Sequence, residues 1–367
     1  AAPRPDILVI VLDPMSRGHM RRTMPRTSRL LRELGYADFA SHAAVGANSG
    51  PNQVAMYSGQ VLKSRDVASS ARGGKWLWDA LRLEGSYVTL KGEDGCIRNS
   101  NMMQLVAPRT HHGAHLHQMF CHADHAPNCL GRTSGSAHLA AYARGFVERY
   151  ARGGGRGAAR APYLALVHLI DSHEDTMALS GTVDGPVHDL LASLHARPGF
   201  ANGTVVAVLG DHGMHYGPFL STRAGLAENA RPALHLHVPG GLLGGRGVLE
   251  ANRRELTSPF DVYLTLLDAA GVEPWAGADA PGQSLLRPLP AGRSCEGAGV
   301  PERYCHPEAH AAKAAAEPGR AACELQELPP SILSFYGDMP LSHKPHLLNC
   351  SQRRQTLFAS GVEERGG

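Results

Sequence analysis

The sequence predicts an α/β protein: a doubly wound, mostly parallel sheet with helices on both faces, followed by a small cysteine-bearing C-terminal subdomain. Two observations carry this expectation. Short apolar runs alternate with amphipathic helical stretches over residues 5–271, the order that gives parallel strands joined by crossover helices. From Pro274 the alternation stops, and residues 291–367 hold four of the seven cysteines (Cys96, Cys121, Cys129, Cys295, Cys305, Cys323 and Cys350). The expected division is therefore a main domain over 1–290 and a subdomain or tail over 291–367, tied by disulfides.

The elements follow in order. Ile7–Leu12 (ILVIVL) is an unbroken apolar run whose length and branching suit a strand buried on both faces. Thr23–Gly35 reads as a helix, with Pro25 in the first turn, a stripe of Leu30, Leu31 and Leu34, and Gly35 at the stop. Lys75–Glu84 is a second amphipathic helix closed by Gly85, and Tyr87–Leu90 a short strand. Ser136–Ala151 is helical, and Arg152–Ala161 (RGGGRGAARA) a flexible basic linker. Tyr163–Ile170 (YLALVHLI) and Thr204–Gly210 (TVVAVLG) are buried strands, and Ala233–Val238 a further strand interrupted by histidines. Ser258 caps a helix with Pro259 at its first position, Phe260, Leu264 and Leu267 on one face, and Gly271 at its end.

Composition excludes some functions. Apolar residues make up 43% and charged residues 19%, which rules out general disorder. A net charge of +3 is too small to argue for a nucleic-acid partner. No run of about 20 apolar residues exists to span a bilayer. The chain opens at AAPRPD and enters an apolar strand at once, as a segment cut from a longer precursor would. The cysteines and two N-glycosylation sequons, Asn202-Gly-Thr and Asn349-Cys-Ser, lean towards a secreted or lumenal setting. The 21 histidines include a run over His111–His125 that reads as a surface insertion, with an accessory metal site as the alternative.

The chemistry gathers at strand ends, where open α/β sheets bind ligands. Asp13 follows the first strand, Asp171 the YLALVHLI strand and Asp211 the TVVAVLG strand. Two of them bring histidines, as Asp171-Ser-His173-Glu-Asp175 and Asp211-His212-Gly213. An aspartate after a strand is often only a turn former. Three on strand ends, one of them in Asp-His-Gly, make a metal-site inventory.

LDPMSR, VGANSGPNQVAMYSG, LGDHG and ARPAL, in this order, resemble the alkaline phosphatase/sulfatase superfamily, and within it the sulfatase-like DUF229 family. CLGRTSGSAHLAAYARGFVERY, LIDSHED, TSPFDVYLTLLDAAG and SLLRPLPAGRSCEGAGVPERYC extend the resemblance over about residues 5–305. It implies that 1–290 is the catalytic domain, that Asp13, Asp211 and His212 hold metal, and that Ser49 is the nucleophile. It places His173, with Asp171 and Asp175, at a second metal or at the substrate. Arg17 and Asn48 are carried as substrate contacts. An Arg-Ser/Thr-Cys…Cys pattern in the last segment suggests a disulfide between Cys295 and Cys305; Cys121 and Cys129 are another candidate pair.

The expected function is a metal-dependent hydrolase of phosphate or sulfate esters with a covalent Ser49 intermediate. A serine hydroxyl is a poor nucleophile unless a metal favours its alkoxide, and a helix N-terminus offers N–H groups to an anionic ester. The alternative for Ser49 is a plain N-cap of a helix over Asn52–Ser58. Two positions depart from the family pattern. Formylglycine formation needs Cys or Ser followed by x-Pro-x-Arg, whereas Ser49-Gly-Pro51-Asn-Gln53 lacks the arginine, which favours an unmodified serine. Ala47 stands where aspartate is usual, and Pro14 follows Asp13 where sulfatases carry a second acid, so one or two ions are expected. His212 favours Zn²⁺, with Mn²⁺ or Ca²⁺ as alternatives. His235 and His237 share a strand face and read first as ordinary strand residues. The expected partner is an anionic ester, carried on a glycan or a lipid. Two rivals remain: a transferase that passes a phospho-group to a glycan, and a non-catalytic module that keeps the fold.

Overall fold

The computed structural model describes residues 4–62, 76–94, 109–115, 129–130, 132–151, 161–173, 178–215, 218–244, 247–274 and 281–305. Its strands are β1 (Asp6–Leu12), β2 (Ala37–Asp38), β3 (Val88–Glu93), β4 (His112–His115), β5 (Cys129–Leu130), β6 (Thr133–Ser134), β7 (Tyr163–Leu169), β8 (Thr204–Gly210) and β9 (Leu234–His237). Among the described residues they form a seven-stranded sheet, β2-β9-β8-β1-β7-β3-β4, and a two-stranded ribbon of β5 and β6. From β8 through β1, β7 and β3 to β4 every pairing is parallel. The departure is β9, the strand with the histidines, which runs antiparallel to both β8 and β2.

β1, β7 and β8 are buried along their whole length, which is why they read as continuous apolar runs. The helices are α1 (Arg17–Thr23), α2 (Pro25–Glu33), α3 (Ser49–Ser58), α4 (Leu77–Leu83), α5 (Gly135–Tyr150), α6 (Asp184–His195), α7 (Phe200–Gly203), α8 (Arg223–Asn229), α9 (Val248–Asn252) and α10 (Pro259–Ala270). They divide between the faces by the alternation of the strands. Ile7, Val9 and Val11 of β1 pack under α3, α4 and α10, whereas Leu8, Ile10 and Leu12 pack under α1, α2, α5 and α6. The sheet is thus covered on both sides, as the sequence predicts.

The helix signals act as expected. Pro25 opens α2, and Gly35 beyond its end takes φ +73°, a left-handed value that favours glycine. Pro259 opens α10, the Asp261 carboxylate accepts from Ser258 N at 2.7 Å, and Gly271 ends the helix at φ +61°. Five short or weakly patterned helices, α1, α6, α7, α8 and α9, were not anticipated from the sequence, although the Ser16 side chain caps α1 by accepting from His19 N. The histidine-rich region also differs from expectation: His112–His115 is the edge strand β4, and the His112 ring packs against Phe146 and Tyr150. Residues 116–125 of that run, the basic linker apart from Ala161, and the Asn349 sequon lie outside the described residues. Among the described residues, no helix is long and apolar enough to cross a membrane.

The first fifteen residues of the expected C-terminal subdomain, 291–305, pack onto this body. Cys295 and Cys305 are disulfide-bonded, with Cα atoms 5.8 Å apart. Two residues earlier, Arg293 makes a buried bidentate pair with Asp261, Nη1 to Oδ2 at 2.8 Å and Nη2 to Oδ1 at 2.9 Å. Burial pushes the Asp261 carboxyl up, while Arg293 and the N–H groups of Gln283 and Ser258 pull it back. Ala298, Val300 and Tyr304 then close a small apolar cluster with Ala43, Ala230 and Leu256. Cys96, Cys121, Cys323 and Cys350 lie outside the described residues, so the Cys121–Cys129 pairing does too.

Removing one partner of a buried ion pair strands the other charge in a poorly solvated site. Arg293→Met is therefore expected to cost about 3–5 kcal/mol in urea unfolding at neutral pH, with the Cys295–Cys305 bond intact by mass spectrometry.

Candidate functional site

Register places the chemistry. In the parallel ladder Leu12 pairs with Leu169 on one side and with Gly210 on the other. Asp13 and Asp211, each one residue further on, therefore emerge side by side at the carboxyl edge. Val11 pairs with His168, and His168 in turn with Glu93. Because side chains alternate, Glu93, His168 and Asp13 share the sheet face that α3 covers. A buried polar row results, beginning at Lys91, whose Nζ donates to Glu93 Oε2 at 3.0 Å.

Helix α3 closes this row from above. Asn48 occupies its N-cap position, exposed, and Ser49 is its first residue, half-buried. Ser49 and Gln53 lie four apart on one helix face. The Ser49 hydroxyl is 3.1 Å from Asp13 Oδ2, 3.3 Å from Asp13 Oδ1 and 3.2 Å from His212 Nε2. Gln53 Nε2 donates to Asp13 Oδ2 at 3.1 Å and to Asp211 Oδ2 at 2.9 Å. His168 Nε2 meets Asp13 Oδ2 at 3.1 Å. Asp211 Oδ1 accepts from His212 N at 2.9 Å.

Buried asparagines fix the loops. Asn52 donates to the carbonyls of Gly46 and Asn48 and accepts from Val45 N. Asn229 donates to the carbonyls of Ala47 and Gly213, joining the Ser49 loop to the Asp-His-Gly loop. Two glycines allow the close approach: a Cβ on Gly210 would strike Met15 O, and one on Gly213 would strike Glu228 O.

The electrostatics separate the two aspartates. Burial raises the Asp13 carboxyl, but the His168 hydrogen bond and the charges of His168, His212 and His173 outweigh it and hold Asp13 well below the usual range. Burial, and then the charge of Asp13, push Asp211 up. Two carboxylates in one dry site cannot both ionise cheaply. Burial lowers His212, favouring the neutral form of its ring. Its Nδ1 donates to Gly213 O at 2.6 Å, which leaves the Nε2 lone pair facing Asp13 and Ser49. One ligand atom from each of Asp13, Asp211 and His212 lies within 4.8 Å of the others. Two oxygen donors and one imidazole nitrogen, with the Ser49 hydroxyl beside them, fit a four-coordinate divalent ion.

The other expected residues are placed as follows. The His173 ring packs edge-on against His215 at 5.3 Å, and His215 against His212 at 4.7 Å, so these histidines border the cluster. Burial, with His212 and His173 nearby, lowers His215 to about 4. Asp171 is buried beyond β7 and acts on Asp94, whose carboxyl is pushed up by burial and by Asp171; it is not in the ligand-sized group. Asp175 lies outside the described residues. Arg17 is held by Asp38 in a bidentate pair at 2.7 and 2.8 Å. His235 is buried beside Asp38 and lowered to about 4, chiefly by burial, and His237 meets Ala201 O at 2.8 Å; neither is in the ligand-sized group. Sequence reasoning missed Gln53 and His168 as members of the site, and Asn52 and Asn229 as its supports. The fixed spacing of Gln53 from Ser49 was the one usable signal.

A family model described as "Protein of unknown function (DUF229)" matches residues 1–322. No curated protein matches the chain. Solved structures share the fold. The lipoteichoic acid synthase LtaP from Listeria monocytogenes is 13% identical, with a TM-score of 0.57 over 78% of this chain and 76% of that one. An alkaline phosphatase superfamily protein from Vibrio parahaemolyticus is 15% identical, with a TM-score of 0.58 over 79% and 71%. A phosphonate monoester hydrolase from Silicibacter pomeroyi is 14% identical, with a TM-score of 0.54 over 79% and 78%. The chain thus shares its fold with these three proteins.

A carboxyl raised by folding binds its proton more tightly in the folded than in the unfolded chain, so it costs stability once the pH exceeds its ordinary range. Asp211→Asn is expected to raise the melting temperature of the metal-free protein at alkaline pH, to have little effect at pH 4, and to abolish divalent-ion uptake. Scanning calorimetry across pH, paired with metal titration, reads both effects.

Proposed function

The chain belongs to the DUF229 family of proteins of unknown function, and we propose that it is a metal-dependent hydrolase of phosphate or sulfate esters acting through a covalent ester on Ser49. The observation that carries the reading is the Ser49 hydroxyl, half-buried at the start of α3, within 3.3 Å of both Asp13 and the lone-pair nitrogen of His212.

Asp13, Asp211 and His212 would hold the ion; the mixed donors favour Zn²⁺ over Mn²⁺, and Ca²⁺ least. When bound, the ion supplies positive charge to the Ser49 alkoxide and to the ester oxygens. Asp13 accepts the Ser49 hydrogen bond and orients Oγ. The Ser49 hydroxyl gives up its proton to solvent as Oγ attacks phosphorus or sulfur; the bond to the alcohol oxygen breaks, and that oxygen takes a proton from solvent as the alcohol leaves. Water then attacks the Ser49 ester, the Oγ bond breaks, and the hydroxyl is restored. The N–H groups at the start of α3 face the anion. Asn48, exposed beside Ser49, and His173, at the border of the cluster, contact the substrate. Gln53 in place of arginine favours an unmodified serine. On this reading residues 1–290 are the catalytic domain, and 291–367 a subdomain anchored by Arg293 and the Cys295–Cys305 disulfide.

A second reading changes only the acceptor. The fold likeness to a lipoteichoic acid synthase supports a glycan or lipid hydroxyl, in place of water, as the group that takes the ester from Ser49. The disulfide and the exposed Asn202 sequon support a secreted or lumenal glycoprotein.

Hydrolysis of p-nitrophenyl phosphate, phosphodiester and sulfate by wild type, Ser49→Ala and Asp211→Ala tests the reading. Each substitution is expected to lower kcat about 1000-fold or more, and residue 49 should have the mass of serine. Activity unchanged in Ser49→Ala would remove the covalent mechanism, and absence of both metal and turnover would leave a non-catalytic module.

A further inference from the structure

Gln53 is buried, and its two amide protons point in two directions: Nε2 donates to Asp13 Oδ2 at 3.1 Å and to Asp211 Oδ2 at 2.9 Å. Its Oε1 is buried with no hydrogen-bond partner among the described residues. Nε2 also lies 3.5 Å from His168 Nε2, a longer contact than either carboxylate bond, so the two carboxylates are the main constraint on the orientation of the amide. Turned over, it would point carbonyl lone pairs at two acids and lose both bonds. A side chain one methylene shorter would not span the gap, and a lysine or arginine there would add a fixed positive charge.

We propose that Gln53 is a positioning residue for the metal centre: a neutral bridge that fixes the spacing of Asp13 and Asp211 and leaves their negative charge for a divalent cation. The inference deepens the proposed function and rests on it. Like charges brought to ligand distance repel and would otherwise splay into separate rotamers. One donor shared between them holds both oxygens in register, so the ion finds its ligands already placed. Partners of metal ligands that act this way typically contribute 10- to 100-fold to affinity. Gln53 sits one helical turn beyond Ser49, so the same rigid element that presents the hydroxyl also sets the ligand spacing.

The test is titration of the full metal-free chain with Zn²⁺ alone, and with Mn²⁺ alone, by calorimetry. Wild type, Gln53→Met, Gln53→Asn and Asp211→Ala are compared, with circular dichroism and the intact Cys295–Cys305 bond certifying the fold. Gln53→Met is expected to bind about 10- to 100-fold more weakly than wild type. Gln53→Asn keeps the amide but reaches only one carboxylate, and should also fall at least several-fold; it carries the test where the methionine variant does not fold. Asp211→Ala should not bind. A purely structural role predicts a lower melting temperature with an unchanged dissociation constant for the folded variant, and that result overturns the inference while leaving the proposed function standing. Wild type that binds neither ion overturns both.

Discussion

Asp13 and Asp211 stand side by side, buried, at the ends of neighbouring parallel strands, and neither has a lysine or arginine partner among the described residues. The rest of the site follows from that repulsion. In a low-dielectric setting two such charges interact far more strongly than in water. The fold divides them: donors gather on Asp13, which stays ionised, while Asp211 retains its proton more tightly. His168, Gln53, Ser49 and the His212 N–H are each one way of satisfying an acid that burial would otherwise penalise. A divalent ion would satisfy both at once, accepting a lone pair from each carboxylate and from the His212 ring.

Precision at this edge comes from the sheet rather than from the loops. Parallel strands in a fixed register bring Leu12 and Gly210 level, and each supplies its aspartate at the next residue. The loops are then tied by backbone and amide bonds: Met15 N to His212 O at 2.8 Å, Asp13 N to Leu169 O at 2.8 Å, and Asn229 across Ala47 and Gly213. Sites built on rigid elements and locked by supporting hydrogen bonds hold their geometry better than sites on free loops. Ser49 follows the same logic, since its position is set by a ten-residue helix whose far end packs Tyr57 against Trp78.

Much of the architecture was legible because it is written in short-range patterns. Continuous apolar runs gave β1, β7 and β8, and Pro259 with Gly271 gave the limits of α10. Asp13, Asp211 and His212 were legible because each sits at the end of such a run, and Ser49 through resemblance to a family motif. His168 was hidden for a physical reason. It lies inside an apolar strand, and nothing local says which face it takes or that Glu93 and Asp13 lie level with it across two pairings. The antiparallel direction of β9 was equally unreadable, since a strand of four residues carries no directional signal. Arg17 shows the opposite limit: proximity to Asp13 in sequence suggested a substrate contact, but the fold commits its guanidinium to Asp38.

The handling of other buried charges sharpens the case for a cation. Arg293 neutralises Asp261 with two direct hydrogen bonds, and Lys91 neutralises Glu93 with one. Both pairs are complete within the chain, and both fit structural roles, one anchoring the segment after residue 281 and one filling the end of β3. Asp94, beside Asp171, is instead pushed towards its neutral form by burial, and its Oδ1 accepts from Ile170 N at 2.8 Å. Among the described residues, no group of three His, Cys, Asp or Glu ligand atoms forms around it. At Asp13 and Asp211 a proton is a poor solution. It quenches one carboxylate but leaves the His212 Nε2 lone pair and the Ser49 oxygen directed at the same small volume. Among the described residues, two buried acids, an imidazole nitrogen and a hydroxyl converge only there, a grouping that could hold a cation.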